Sequence, residues 1–369
     1  MQVFENSWLD IKIGLNRCMF FAAVILFLLG AAAIYSASYS LQTHSSPYMI
    51  RQLVFGLIGF VVYFLIIKIG CKNMLKLAFS LSVIVILLFL LVLIVGHTSK
   101  GAQSWFNFGF IRLQPSEIGK LAFALLLAKC CTMFPPSDLK GIALVFGISL
   151  CFLLPILLQP DFGSALVYSI MFFAVLIVAG APAKFLFGIM GAGIAMLPVG
   201  WFMLKPYQKM RILVFFDASV DPQGAGYNVI QSRIAVGSGG FFGKGFLNGT
   251  QSKLRFLPEP HTDFIFGVFS EEFGFVGCFF VLVLYALLLW KIIETITSTR
   301  DPEARLLCTA IAAWLWFQMT ESIAMCMGLA PVTGLPLPLF SYGGSSLLAV
   351  LAGLALVQSV EISLAKERF

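Results

Sequence analysis

The sequence predicts an all-α polytopic membrane protein, one integral domain over residues 1–369, and three observations carry that prediction. Hydrophobic residues make up 60% of the chain and charged residues only 11%, too few charges to cover a fold in water. The apolar residues lie in blocks long enough to cross roughly 30 Å of hydrocarbon as helix, which takes about 20 residues each. Lysine and arginine collect in alternate connections, the asymmetry that orients spans in a bilayer.

Taken in order, the blocks fall near 18–40, 49–69, 74–95, 116–134, 140–158, 162–181, 185–205, 263–290, 305–328 and 342–362, which predicts about ten transmembrane helices. Pro135, Pro136, Pro155 and Pro160 punctuate the fourth to sixth. The first block runs directly into further spans, so it reads as an anchor that stays. An even number of crossings puts both termini on one side. Lys12 and Arg17 mark that side, followed by Lys68, Lys72 and Lys76, by Lys129 and Lys140, by Lys184, by Lys291, Arg300 and Arg305, and by Lys366 and Arg368. The other short connections hold few cations beyond Arg51, Lys100 and Arg112, so both termini are expected in the cytoplasm. The long segment of about 206–262, between helices 7 and 8, is then extracytoplasmic.

That segment is basic, with Lys209, Arg211, Arg233, Lys244, Lys253 and Arg255 against Asp217, Asp221 and Glu259. Two explanations stand side by side: a surface for anionic head groups or a diphosphate, and a long loop solvating whatever charges it carries. The eight cysteines are scattered, form no CxxC pair and avoid the long outer segment, which argues against a disulfide framework and against zinc. There is no Walker loop, GxGxxG fingerprint, internal repeat or low-complexity tract, and no nucleic acid partner is expected.

An ionisable side chain inside a span costs a few kcal/mol, so each requires a partner, a cavity or a function. Glu117 and Lys120, three apart at the start of the fourth span in Gln114-Pro115-Ser116-Glu117-Ile118-Gly119-Lys120, share a helix face as a potential ion pair, structural or functional. Asp161, in Gln159-Pro160-Asp161-Phe162-Gly163-Ser164, reads as a helix cap. The richest cluster opens the eighth span: Leu257-Pro258-Glu259-Pro260-His261-Thr262-Asp263-Phe264, with Glu271 and Glu272 two turns on. A lone aspartate at a helix start is commonly a cap or dipole partner. Its company changes the balance: Asp263 with Glu271 at i+8, an adjacent His261, a basic loop and the Glu117–Lys120 pair would line a polar pocket suited to removing a proton from a hydroxyl beside an anionic leaving group. Gly237-Ser238-Gly239-Gly240 and Gly243-Lys244-Gly245 permit either close approach of backbone to a phosphate, with Lys244 beside it, or turns of positive φ. The uncharged stretch from Pro331 to Ser346, including Ser341, belongs at membrane depth only where it packs in protein or lines a cavity, and it is expected to wall the same pocket.

At these residues the chain resembles the SEDS family of shape, elongation, division and sporulation proteins, nearer its RodA branch than its FtsW branch. The matching stretches are Gly101 through Trp105, Gln114–Lys120, Gln159–Gly163, Gly226-Tyr227 through Gln231-Ser232, Gly237–Gly245, Asn248–Ser252, Leu257–Phe266 with Glu271-Glu272, and Thr333–Ser346, in the family order along nearly the full chain. Pro260 departs from the Arg or Ala expected there. The resemblance implies the ten-helix SEDS fold and a peptidoglycan glycosyltransferase of the bacterial inner membrane that polymerises lipid II into glycan strands during cell elongation, maintaining rod shape. His261-Thr262-Asp263-Phe264 resembles the motif with the family's essential aspartate, so Asp263 is the expected catalytic base, with undecaprenyl diphosphate leaving. Trp105, Glu117, Lys120, Arg211, Lys244, His261, Glu271 and Ser341 complete the expected substrate-binding set. Positive charge for the leaving group is expected from Lys120, Arg211, Lys244 or a divalent cation, Mg or Mn. The implied partners are lipid II and the nascent strand, a class B penicillin-binding transpeptidase and other membrane proteins of the elongation complex. A lipid II flippase or transporter is the main competitor, since helices around a polar pocket also serve translocation. A scaffold without chemistry is the other.

Overall fold

The computed structural model of the chain describes residues 14–39, 46–99, 102–107, 109, 112–222, 224–254, 256–257 and 259–368. Lys12, Lys100, Gly101, Arg255 and Pro258, used above, lie outside the described residues.

Every expected span meets a helix. The first three are α1 (Arg17–Ser38), α2 (Pro47–Ile69) and α4 (Ala78–Val95), with a short α3 (Cys71–Lys76) turning between the last two. Next come α5 (Pro115–Met133), α6 (Leu139–Leu158), α7 (Phe162–Val178) and α8 (Ala183–Met203), and after the outer segment α12 (Ile265–Ser298), α13 (Pro302–Met327) and α14 (Gly344–Arg368). Among the described residues eight of these are long and apolar enough to cross a membrane. The other two fall short for plain reasons: α7 has 17 residues, and α5 carries Glu117, Lys120 and Lys129.

Local chemistry sets the helix starts. Asn16, Ser46, Asp138, Asp161 and Asp301 each accept a backbone N–H from the first turn of α1, α2, α6, α7 and α13, answering donors that a helix leaves without partners. Pro47, Pro115 and Pro302 occupy first-turn positions where their missing N–H costs nothing. Asp161 is the cap expected of it, holding Ser164 N at 3.1 Å.

The core is the α14 side of the bundle. Helix α14 packs on α2 and α5, while α13 packs on α5, α7 and α12. Helix α8 is the opposite case, with none of its span buried against protein.

Two features add detail to the sequence reading. First, the fold is not purely helical: β1 (His97–Ser99), β2 (Ala102–Asn107) and β3 (Arg112–Leu113) form a small antiparallel sheet between α4 and α5. Strands of two to six residues without apolar alternation carry too little periodic signal to be read from sequence. Second, the outer segment is largely helical, with α9 (Pro206–Phe216), a 3-10 turn at Ala218–Val220, α10 (Ala225–Ser238) and α11 (Thr250–Lys253). Helix α10 lies against both α12 and α13.

Helix α12 breaks at Gly274 (φ 63°, ψ −162°). In an unbroken helix Phe275 N and Val276 N would donate to the carbonyls of Glu271 and Glu272. Here they donate to Gly240 O (2.9 Å) and Phe241 O (3.1 Å), and the released carbonyls accept Lys244 N (3.0 Å) and Gly245 N (2.9 Å). The glycine loop thus substitutes for one turn of helix hydrogen bonds, as non-helical backbone among spans requires. Gly243 and Gly245 have positive φ, and a Cβ on Gly243 would lie 2.1 Å from Glu272 O.

Candidate active site

The turn His261–Phe264 delivers the chain into α12, and the Pro331–Gly343 segment clamps it. Tyr342 N donates to His261 O (2.9 Å), and the Ser341 hydroxyl donates to Thr262 O (2.8 Å) while accepting Leu337 N (2.8 Å). Gln52, fully buried on α2, fixes that segment in turn: its amide donates to Ser341 O (3.1 Å) and accepts Gly343 N (3.4 Å). The His261 ring stacks on Tyr48 at 4.1 Å, with Tyr342 edge-on to Tyr48. These contacts place His261 and Ser341 in the geometry: they hold the two residues of backbone that lead into Asp263.

Asp263 is half-buried, and the Cys326 thiol donates to its backbone carbonyl (3.5 Å). Three consecutive residues of the clamp meet three charged groups. Val332 O accepts Arg211 Nη1 at 3.2 Å, the Thr333 hydroxyl donates to Glu321, and Gly334 lies against Asp263, since a Cβ there would sit 3.7 Å from Asp263 Oδ2. The segment therefore brings Arg211 of α9, Glu321 of α13 and Asp263 to one place. Arg211 also lies over the Tyr207 ring at 5.9 Å.

A second polar layer continues along α13. Lys120, fully buried, pairs with Glu117 at 2.5 Å and donates to Gln318 Oε1 at 2.9 Å. Gln318 also accepts Trp314 Nε1 (2.6 Å) and donates to Pro336 O (2.7 Å). The Glu117–Lys120 pair expected from spacing is present, and its links to Gln318 and to the clamp are what a charge pair away from water requires. Trp314, Gln318 and Glu321 follow one another at helical spacing on the face of α13 turned to this column.

The structure does not bring Lys244 and Glu271 into that group. Glu271 is wholly buried and accepts Lys244 Nζ (2.6 Å), Thr250 N (2.8 Å), Thr250 Oγ1 (2.7 Å) and Gln251 N (3.1 Å to its second oxygen). Helical i+8 spacing does not relate it to Asp263, because Asp263 precedes the first residue of α12 and eight residues of helix rise about 12 Å. Trp105 lies half-buried on β2, opposite His97. That sheet reaches the site region through Ser345, whose hydroxyl donates to Arg112 O (3.2 Å) and accepts Gln114 N (3.3 Å).

Sequence reasoning missed Glu321 and Gln52. An acid within an apolar span, in Phe317-Gln318-Met319-Thr320-Glu321-Ser322, is itself the signal that singled out Glu117.

Apolar helices gathered around buried acids and their polar partners, with a further helical segment over 206–253, define a polytopic membrane protein with a polar site inside the bundle. The chain belongs to the cell cycle protein family of FtsW, RodA and SpoVE, whose family model matches residues 16–366. It is 38% identical over 357 residues to the peptidoglycan glycosyltransferase MrdB of Escherichia coli strain K12, covering 95% of this chain and 94% of that one. Two solved structures share its fold. One comes from work described as structural coordination of polymerization and crosslinking by a peptidoglycan synthase complex, with a TM-score of 0.81 and 35% identity over 95% of this chain and 98% of the other. The second is the rod shape determining protein RodA of Thermus thermophilus, with a TM-score of 0.71 and 31% identity over 94% and 96%. The resemblance read from the motifs is borne out by these relatives, and so is the multi-helix membrane fold.

Proposed function

We propose that the protein is a peptidoglycan glycosyltransferase that polymerises lipid II into glycan strands, with Asp263 as general base. The observation that carries this reading is the meeting of Asp263, Arg211 and Glu321 on Val332-Thr333-Gly334, beside a turn whose His261 and Thr262 carbonyls are held by Tyr342 and Ser341. A base must be positioned before its basicity is useful, and such positioning is typically worth about 10²–10⁴ in rate.

In the reaction the Asp263 carboxylate takes the proton of the acceptor sugar's 4-hydroxyl. The oxygen's electron pair forms the new bond to the donor's anomeric carbon, and the bond from that carbon to the diphosphate breaks with inversion, the pair leaving on undecaprenyl diphosphate. Arg211 is the cation best situated for the departing charge, since its guanidinium reaches the clamp one residue from Thr333. Lys120, held by Glu117 and Gln318, keeps the pocket floor polar. Lys244 and Glu271 shape the outer loop over the substrate, and Trp105 stands on the neighbouring sheet. Among the described residues no three histidine, cysteine or acidic side chains gather as a metal cluster, and no step here is routed through a Mg or Mn ion.

The distribution of cations supports a bacterial cytoplasmic-membrane location with both termini inside and 206–262 outside, the whole chain acting as one domain. A class B penicillin-binding transpeptidase is the proposed partner, supported by the synthase complex among the similar structures. The glycosyltransferase names of its relatives favour the enzyme over a flippase.

The test is strand synthesis by the full-length protein in detergent with labelled lipid II, with and without a cognate transpeptidase. Polymer from the wild type and none from Asp263→Asn is the expected result. No polymer from the wild type in either condition would overturn the reading.

A further inference from the structure

Helix α9 has two faces, and the bundle accounts for only one. On the inner face Gln208 and Val214 are buried; Gln208 accepts Lys205 N (2.9 Å) at the helix start and donates to Pro160 O (3.4 Å), and Arg211 donates to Val332 O (3.2 Å). Pro206, Lys209, Leu213 and Phe216 recur at intervals of three and four and so share the other face. There Leu213 is 41% exposed and Phe216 80%, in line with a lysine. What covers this face follows from the chain before it. Only Leu204 and Lys205 separate α9 from α8, a spanning helix with none of its span buried against protein, so α9 begins where α8 leaves the hydrocarbon. Lys209 Nζ reaches back over the Trp201 ring (5.8 Å) in the last turn of α8, beside Phe202, which is 82% exposed. Tryptophan and snorkelling lysine at the end of a span are the occupants of a head-group layer. The charge there has one sign: no acid occurs from Phe162 to Phe216, and no ion pair among the described residues includes Lys205 or Lys209. A partner for this face must be apolar in one part and anionic in another, and must meet a helix continuous with one that faces lipid. An acidic phospholipid satisfies all three conditions.

We propose that the outward face of α9 docks on anionic phospholipid, with Lys205 and Lys209 on the head group and Leu213 and Phe216 at the acyl boundary, and that this seat holds Arg211, on the inner face, against the clamp. The lysines act through charge, and a cation near an anionic surface contributes about fivefold in preference for acidic over zwitterionic lipid. The docking stands apart from the reaction proposed above; its effect on rate rests on that reading, because Arg211 is the cation placed there for the leaving group.

Two measurements on the full-length protein decide it. In phosphatidylcholine vesicles carrying a small fraction of brominated phosphatidylglycerol, or the same fraction of brominated phosphatidylcholine, Trp201 reports the docking, its share of the emission being the difference between wild type and Trp201→Phe. The anionic lipid should quench that share more strongly. The preference should fall about fivefold with each of Lys205→Gln and Lys209→Gln, and should not change in Lys253→Gln, an exposed cation of the same outer segment on α11. Equal quenching by the two lipids, a preference that survives in the double variant, or one lost equally in Lys253→Gln would overturn the docking. A preference abolished by a saturating cognate transpeptidase would give the face to a protein instead. Lipid II polymerisation should rise with the phosphatidylglycerol fraction for the wild type and stay flat for the double variant at the wild-type rate in phosphatidylcholine. A wild-type rate indifferent to lipid charge would overturn the link to Arg211. A wild type that makes no strands in any vesicle removes the proposed reaction, and the quenching still decides the docking.

Discussion

Glu271 and Glu321 are buried acids on neighbouring helices, yet their surroundings are opposites. Glu271 is saturated: an ammonium, a hydroxyl and two backbone amides converge on it, and they belong to the 244–251 loop it anchors. Glu321 has one threonine, an oxygen without a partner, and a second acid for a neighbour. A carboxylate whose acceptor sites are filled by its own chain has nothing left to offer a substrate, and its removal is a stability event. An acid left short of donors is costly to the fold, and that cost is tolerated where the group does chemistry.

Substitutions can break or sharpen that contrast. The largest effect is expected at the deficient end. Asp263→Asn should lower strand synthesis by about 10²–10⁴ while leaving the thermal midpoint near the wild-type value; a matching loss of stability would move Asp263 to the structural side. At the saturated end Glu271→Ala removes the acceptor for Lys244 and the loop amides, and should destabilise by about 3–5 kcal/mol, read as a lower unfolding midpoint in detergent. A Glu271→Ala protein that melts like the wild type but makes no strands would reverse the assignment. Gly274→Ala tests the platform between them: its Cβ would lie 2.3 Å from Gly243 N in a backbone region open to glycine, at about 1–3 kcal/mol for the strain alone. The smallest effect is at Asp217, exposed in the outer segment, where bonds from the Ser219 hydroxyl and then its amide favour the carboxylate and hold its pKa below the ordinary range. A folded value that is depressed means stabilisation present above the ordinary carboxylate pKa and lost as pH falls through the folded one. Acidification should loosen the 217–221 turn, seen as a fall in the protection of the Ser219 amide relative to its intrinsic exchange rate at each pH, and Asp217→Asn should remove that response without moving the melt.

The spans were legible because about 20 apolar residues have few other uses. The helix starts were legible too, through residues such as Asp161, whose side chain closes the first turn in the way its type predicts. The grouping of the polar residues was less so. Nothing in a linear spacing distinguishes Glu271, claimed by backbone amides 20 and 21 positions earlier, from an acid grouped with Asp263. Likewise Val332-Thr333-Gly334 reads as an uncharged connector, yet backbone carbonyl, hydroxyl and the absence of a side chain in turn are what gather Arg211, Glu321 and Asp263. Contacts of that kind are made by backbone atoms that every residue has, so residue identity alone cannot announce them.

The exchanged bonds at Gly274 also have a mechanical meaning. Amides 275 and 276 find their acceptors on 240 and 241, and amides 244 and 245 find theirs on 271 and 272. Neither stretch can open to solvent by itself, so protection at all four amides is lost in one event. The short length of helix from Ile265 to the break is thereby tied to the glycine loop at one end, and its other end follows directly on Asp263 and Phe264.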